Sequence, residues 1–541
     1  MTALLRKTAY LAAMIATFFT AAAHAPAHAD EAATCGPIAS VEGFDTNGWG
    51  YNAANERYQS RTTITKDNVG TLAVKWAYAL EGGPSPHSLP VVSEDTVFVG
   101  TQNGKLHALD RDTGCVRWTH QSGDEIRTAI IHGVVDDETL LFFSTSGGEA
   151  HALVASTGEH RWSADVTDHS MSMLTGTPSF HDGRLFVPVS SSEVVMAAQP
   201  WYGCCTFRGA VVALDATNGA FIWRTHVVPE AQETGTHYLF VQNYGPSGAP
   251  IWSAPTIDSA RGLVLVGTGE NYSAPASDMS DAIVAMELET GEIRWHQQYL
   301  AGDTFNVSCG MPDHPNCQME KGPDLDFGAP PIVTQTLDGQ DIVLAGQKSG
   351  GVYGMNADTG ERIWEQTYGR GGMVGGIHWG MAINPHLNLV YAPVSDMKLP
   401  FVRDEVGPGA PGLYALDIAT GEQRWATPIA NTCGDKEPCD SGLSAAIAAT
   451  PDLVFSGGLD GVMRAFDATT GQVVWSFDTW GTFPAVGGDL TPESPEAVGG
   501  TLEVHGPLIT GNMMFVLSGY AHQTLKGGNA LLAFELQEQD Q

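Results

Sequence analysis

Short runs in which valine, isoleucine and leucine alternate with other residues recur along the chain, as in TVFVG, ETLLFF, RLFVPV, GLVLVG, DIVLAG, LVYAPV and LVFSGG. Alternation with period two predicts half-buried β-strands. Downstream of each run stands a second pattern, A-L-D-x-x-T-G-x-x-x-W. It reads ALDRDTGCVRW to Trp118, ALVASTGEHRW to Trp162, ALDATNGAFIW to Trp223, AMELETGEIRW to Trp295, GMNADTGERIW to Trp364, ALDIATGEQRW to Trp425 and AFDATTGQVVW to Trp475. The D-x-x-T-G step is a turn whose glycine supplies positive φ between two strands. The tryptophans and glycines are read as residues that dock one repeat on the next, and no chemistry is assigned to them.

An eighth tryptophan, Trp76 in VKWAYAL, lacks the motif before it, whereas the strands MMFVLSGY and NALLAFEL at the other end lack a partner. An amino-terminal strand therefore completes a blade begun by the carboxyl-terminal strands. The predicted fold is all-β, an eight-bladed propeller of four-stranded antiparallel blades. Residues 30–541 form this single domain, with 30–70 as an amino-terminal arm. Spacing between successive tryptophans is 42 and 44 residues at first, rises to between 61 and 72 in the middle blades, and falls to 50 at the end. Insertions in repeat proteins gather on one face, often the binding face, which places the site between about residues 162 and 425.

Composition supports this picture. Gly (63) and Pro (30) are abundant while charged residues are only 16%, as expected of many tight turns and few charged helices. With 61 acidic against 26 basic side chains the net charge is −35, which makes nucleic acid and anionic lipid poor partners. Residues 1–29 carry Arg6 and Lys7, an apolar stretch, and Ala27-His28-Ala29 before Asp30. That is the form of a cleaved secretory signal, too short in its apolar part to span a membrane. The expected compartment is the periplasm.

All eight cysteines lie beyond that segment. Proximity favours Cys204 with Cys205, Cys309 with Cys317 and Cys433 with Cys439, leaving Cys35 and Cys115 for each other. A bridge between adjacent cysteines closes a strained ring, and such strain tends to persist at functional sites. Free or separately paired thiols at 204 and 205 are the alternative. No C-x-x-C-H occurs in the sequence, so covalently attached c-type haem is not expected and electrons would leave through a separate partner.

In antiparallel blades, the residue before the inner strand and the residue after the second strand meet at one face. After second strands stand Glu193, Asn271 and Lys348; before inner strands stand Thr175, Trp252, Asp326 and Trp379. Glu, Asn and Asp are hard oxygen donors, a set that suits Ca²⁺ over zinc or copper. Lys348 could neutralise negative charge developing on a ligand.

These residues, with the segments NGWGYNAANERYQSRTTITKDNVGTLAVKWAY, WYGCCTFRGA, CGMPDHPNC and GPDLDFGAPPIV, resemble the quinoprotein alcohol dehydrogenases, and within them the branch acting on polyvinyl alcohol. The resemblance covers nearly the whole chain beyond residue 29. It implies pyrroloquinoline quinone (PQQ) and Ca²⁺ on the axis, with Glu193, Asn271 and Asp326 as metal ligands and Asp326 also as base. It further implies Lys348 at the quinone carbonyls, Trp252 under the ring, and Cys204-Cys205 stacked on its other face. Thr175, Ser190 and Arg208 match, more loosely, groups that bind the PQQ carboxylates and carbonyls. Trp379 is expected as a second aromatic at the cofactor. The implied reaction takes the proton from an alcohol or polymeric alcohol at Asp326 and the hydride on the quinone, with a soluble cytochrome c as acceptor.

The sequence departs from the family in three ways. The cysteine pair follows Glu193 instead of preceding it. Gly328 occupies the place where lanthanide-dependent relatives carry a second Asp, which favours calcium. No fused cytochrome domain is expected. The competing reading is a non-catalytic periplasmic propeller of the outer-membrane assembly type, for which the axial Glu/Asn/Asp/Lys set would have no use.

Overall fold

The computed structural model describes residues 35–38, 41–237, 240–317, 321–397, 408–490, 495–521 and 525–538. The expected secretory signal lies outside the described residues. Among them, no helix is long and apolar enough to cross a membrane.

Eight sheets, antiparallel but for one parallel pair, form blades arranged as the repeats predict. Their inner strands are Val91–Val92, Ile131–Val135, Ser179–His181, Thr256–Asp258, Ile332–Gln335, Ala382–Asn384, Ala448–Ala449 and Leu508–Thr510, which number blades 1 to 8. Blade 8 closes the ring: Leu72–Ala79 pairs antiparallel with Ala530–Leu536, so Trp76 faces Ala533. Unlike the four-stranded expectation, blade 8 gains two outer strands, Thr482–Gly488 running parallel to Leu72–Ala79, and Glu496–Val498 beyond it.

The repeat signature is the blade-to-blade joint. Trp76, Trp118, Trp162, Trp223, Trp364 and Trp425 each donate the indole N–H to the carbonyl of the residue after the motif aspartate, or its equivalent, in the next blade, at 2.9–3.2 Å. The same indoles lie on the T-G glycines. At Gly219, where φ is 72°, an added Cβ would stand 2.7 Å from Trp162 Cε3. Glycine is required there twice over, for its backbone angle and for the ring on top of it.

The arm threads the axis. Carbonyls of Ala53, Ala54, Glu56 and Arg57 accept in turn from the backbone N–H groups of Ile257, Val333, Ile383 and Ala449, in blades 4 to 7. The buried Arg57 guanidinium donates to the carbonyls of Trp49, Ile447 and His505 and lies over the rings of Trp49 and Tyr51. This satisfies a charge that would otherwise be costly to bury. Trp49 in turn reaches Trp379, with ring centroids 6.4 Å apart. Side chains therefore fill the axis from Trp379 through Arg57.

Candidate functional site

Just beyond that column, segments before inner strands and after second strands deliver a polar cluster, as antiparallel pairing requires. Asp326 precedes the inner strand of blade 5, and Lys348 follows that blade's second strand, Asp341–Gly346. Trp252 comes from the same position in blade 4. Its Nε1 donates to Asp326 Oδ2 at 2.9 Å, while Lys348 Nζ donates to Asp324 Oδ1 at 2.6 Å and to Asp326 Oδ2 at 3.4 Å. Lys348 also lies over the Trp252 ring, 5.7 Å from its centroid, and Trp379 meets Trp252 edge to face at 5.2 Å. Asp326, Lys348, Trp252 and Trp379 are thus brought together as expected.

Two further members were not anticipated. Glu270, Asp324 and Asp326, all buried, offer oxygens within 4.8 Å of one another. Glu270 sits beside the expected Asn271 in GTGEN, and Asp324 two residues before Asp326 in GPDLD. Reading every acid within two residues of the marked positions would have found both.

Three carboxyls against one ammonium make the electrostatics uneven. Burial would raise the Asp326 pKa, but the Lys348 charge and the hydrogen bonds from Glu270 and Trp252 hold it below the ordinary carboxylate range. Burial pushes Asp324 up to about 7 in spite of Lys348. Burial, with the like charges of Asp326 and Asp324, drives Glu270 well above its usual value. Burial alone would lower Lys348; its carboxylate neighbours reverse this and keep it protonated. The cluster therefore holds Asp326 ionised and hydrogen-bonded by Trp252, Glu270 and Lys348, with a single ammonium set against three carboxyls. Its hard oxygens fit a cation such as Ca²⁺.

The other expected cation ligands, Glu193 and Asn271, carry hydrogen bonds of their own. Glu193, fully buried, accepts from Tyr202 Oη at 2.7 Å, from the N–H of Thr206 at 2.9 Å and from the N–H of Phe207 at 2.8 Å. It thereby clamps the loop carrying Cys204 and Cys205. Asn271 donates to the Ser247 carbonyl at 2.9 Å and accepts from Ser277 N–H at 2.6 Å. Glu193 is not one of the clustered carboxyls.

All four expected disulfides are present. The Cys204–Cys205 bridge is fully buried against Phe207 and Tyr272, with the Asn306 amide 3.8 Å from Cys204 Sγ. Thr175 and Ser190 bond each other at 2.8 Å, and burial, then the charge of Arg208, lower the pKa of His226 on the outer strand of blade 3.

Extending the rule for positions before inner strands to the remaining blades finds other axial residues. Arg127 of blade 2 donates to Tyr520 Oη at 3.2 Å; burial would lower its pKa, but the charges of Tyr520, Glu125 and Glu503 keep it raised. His378, Ser444 and Glu503, from blades 6 to 8, are joined by hydrogen bonds. At Gly328 an added Cβ would lie 2.0 Å from Trp252 Cη2. An aspartate cannot stand there without displacing the indole, a steric reason for the glycine.

Comparison with known proteins follows the same lines. The family described as glucose/ethanol/alcohol dehydrogenase, β-propeller domain, matches residues 47–368, and the outer membrane protein assembly factor BamB family matches residues 348–519. Polyvinylalcohol dehydrogenase of a Pseudomonas species is 38% identical over 506 residues, covering 91% of this chain and 76% of that protein. The protein of the same name from Sphingopyxis sp. strain 113P3 is 36% identical over 510 residues, with the same coverage of 91% and 76%. Among solved structures, quinohemoprotein alcohol dehydrogenase from Comamonas testosteroni superposes with a TM-score of 0.64 at 19% identity, over 92% of this chain and 81% of that one. BamB from Moraxella catarrhalis gives 0.52 at 15% identity, over 86% and 99%. At these identities the two structures speak for the fold alone.

Proposed function

Because the chain belongs to the family of PQQ-dependent (quinoprotein) alcohol dehydrogenases, we propose that it oxidises secondary alcohols, polyvinyl alcohol among them, to carbonyls in the periplasm and passes the electrons to a separate soluble cytochrome c. The observation that carries this reading is Asp326: buried, held ionised beside Lys348, and oriented by the Trp252 N–H. An ionised acid fixed in place is a general base.

Glu270, Asp324 and Asp326 would hold the cation, proposed to be Ca²⁺. The flat face of Trp252 would support the quinone, and Lys348 and Arg127 would meet its anionic oxygens. When bound, PQQ supplies the two-electron acceptor that no side chain can provide. The chain's own part is to receive the hydroxyl proton on Asp326, to hold positive charge at Lys348 where negative charge develops, and to fix the carbinol in place. Glu193 acts at one remove, by fastening the loop of the vicinal disulfide.

The polymer reading rests on the two polyvinylalcohol dehydrogenases that share over a third of the sequence. The cytochrome reading rests on the net charge of −35, which suits a basic partner. A screen of the PQQ- and Ca²⁺-loaded protein with an acceptor dye tests the function: secondary alcohols and polyvinyl alcohol oligomers are expected to reduce the dye. No reduction with any alcohol would refute it. With a basic cytochrome c in place of the dye, the rate should fall as ionic strength rises, since surface attraction is screened.

A further inference from the structure

At the rim of the propeller, where blade 1 meets blade 2, three histidines and a glutamate converge. His120 lies on Val116–Gln121, the outermost strand of blade 1. Glu149 and His151 lie on Glu149–Val154, the third strand of blade 2, and His160 opens its outermost strand, His160–Asp165. Residues two apart share a face of a strand. His120 therefore sits on the face of Trp118, whose indole donates to the Ala155 carbonyl of blade 2 at 3.2 Å. Across the joint, His160 stands two residues after the T-G turn glycine, Gly158. Ring centroids of His120 and His160 are 6.0 Å apart, those of His151 and His160 6.3 Å, and Glu149 Oε2 is 3.8 Å from His151 Nε2.

His151 is only 4% exposed, yet neither of its ring nitrogens has a hydrogen-bond partner among the described residues. Phe143, opposite it on the neighbouring strand, stacks on the ring at 5.0 Å and fixes its plane. Buried nitrogens left unmet are unfavourable, and a ligand that meets one is favoured. Burial pulls the His151 pKa down to about 4, with the charges of His160 and His120 adding to the effect; burial, then His160, lowers that of His120. Both rings are neutral at pH 7, the form that offers a lone pair to a metal. His120 also bonds the Gly158 carbonyl, the arrangement that orients a metal-binding imidazole.

A ring nitrogen about 2.1 Å from a metal ion puts the ring centroid about 3.2 Å from it, so two imidazoles sharing one ion stand at most about 6.4 Å apart. Both separations lie within that limit. His160 is exposed, so its ring can turn to close them to the roughly 5.2 Å of a tetrahedral site. We infer that His120, His151, His160 and Glu149 form a second metal site, which takes one Zn²⁺ and fastens blade 1 to blade 2. Imidazole suits zinc and is a poor ligand for Ca²⁺, so this site and the axial carboxyls select different ions. The inference is independent of the alcohol oxidation proposed above, and its test needs no quinone.

The experiment titrates the chelator-washed protein with Zn²⁺ by isothermal calorimetry, in excess Ca²⁺ so that the axial carboxyls are occupied. One Zn²⁺ per chain is expected, and a hundredfold excess over its Kd should raise Tm by about 2 °C for 541 residues. His160→Ala removes an exposed ligand from blade 2 and His120→Ala the ligand from blade 1; each should weaken Zn²⁺ binding at least tenfold. Co²⁺ in place of Zn²⁺ should give the strong visible absorption of a four-coordinate ion in wild type and lose it in His160→Ala. A wild type that takes up no Zn²⁺ in excess Ca²⁺ overturns the inference. So does a Kd within twofold of wild type in either variant, since the ion would then not join the two blades. If His120→Ala does not fold, His160→Ala carries the test alone, by calorimetry and by the Co²⁺ spectrum.

Discussion

Lys348→Met keeps the aliphatic stem and removes the ammonium that faces Asp324 at 2.6 Å and Asp326 at 3.4 Å. Deleting one partner of a buried pair costs about 3–5 kcal/mol, because the other charge is left uncompensated. At about 2.1 cal/mol/K of unfolding entropy per residue, that is a fall in Tm of about 3–4 °C for a chain of 541 residues. The fall depends on pH. Burial lifts Asp324 to about 7 and Glu270 well above its usual range. Between the ordinary carboxylate range and pH 7 the folded cation-free cluster thus keeps protons that the unfolded chain has released. Stability from those protons is present at low pH and lost as pH rises toward 7. At pH 5 neutral carboxyls need Lys348 less; at pH 8 they need it most. Differential scanning fluorimetry of cation-free protein should show the full drop at pH 8, about half of it at pH 5, and partial recovery at pH 8 on adding Ca²⁺. A drop of equal size at both pH values, or none at pH 8, would refute the idea that Lys348 balances this cluster.

Three other substitutions probe separate links. Gly328→Asp puts a Cβ 2.0 Å from Trp252 Cη2 and pushes the indole off Asp326, so the dye-linked rate should fall at least tenfold, with about 1–3 kcal/mol of stability lost in urea titration; a near-normal rate would mean that the indole is not needed there. Gly219→Ala, at φ 72° beneath Trp162, should cost about 1–3 kcal/mol by the same titration and leave KM unchanged, as befits a joint between blades. Glu193→Gln replaces the carboxylate that holds Tyr202, Thr206 and Phe207, so amide exchange at 202–207 should speed up about tenfold or more, and unchanged exchange would remove Glu193 from its role as the clamp.

The fold was legible because its physics is local and repeated. A strand pattern, a D-x-x-T-G turn and a tryptophan eleven positions into each motif specify one blade, and the unpaired Trp76 specifies how the ring closes. The added strands of blade 8 were not legible, since TFPAVGG carries little alternation and its parallel partner is some 400 residues away, at Leu72–Ala79. The site was half legible. Position relative to inner strands located Trp252, Asp326, Lys348 and Trp379, because antiparallel pairing fixes where those backbones end. It could not say which of two adjacent polar side chains turns inward. Glu270 faces Asp326, while the Asn271 amide bonds Ser247 and Ser277. Nor could it show that Glu193 holds the cysteine loop, which depends on how the twelve intervening residues fold back on it.

The central claim is that Asp326 is the base of a quinone-dependent alcohol oxidation. The direct measurement is dye-linked oxidation of a secondary alcohol by wild type and Asp326→Asn, each titrated with PQQ in the presence of Ca²⁺ while the bound quinone is followed by absorbance. Wild-type rate should rise with PQQ and level off at one per chain. Asp326→Asn should still bind the quinone yet lose at least a hundredfold in rate, the scale on which general bases contribute. A variant that binds PQQ and retains more than a tenth of the rate would contradict the account.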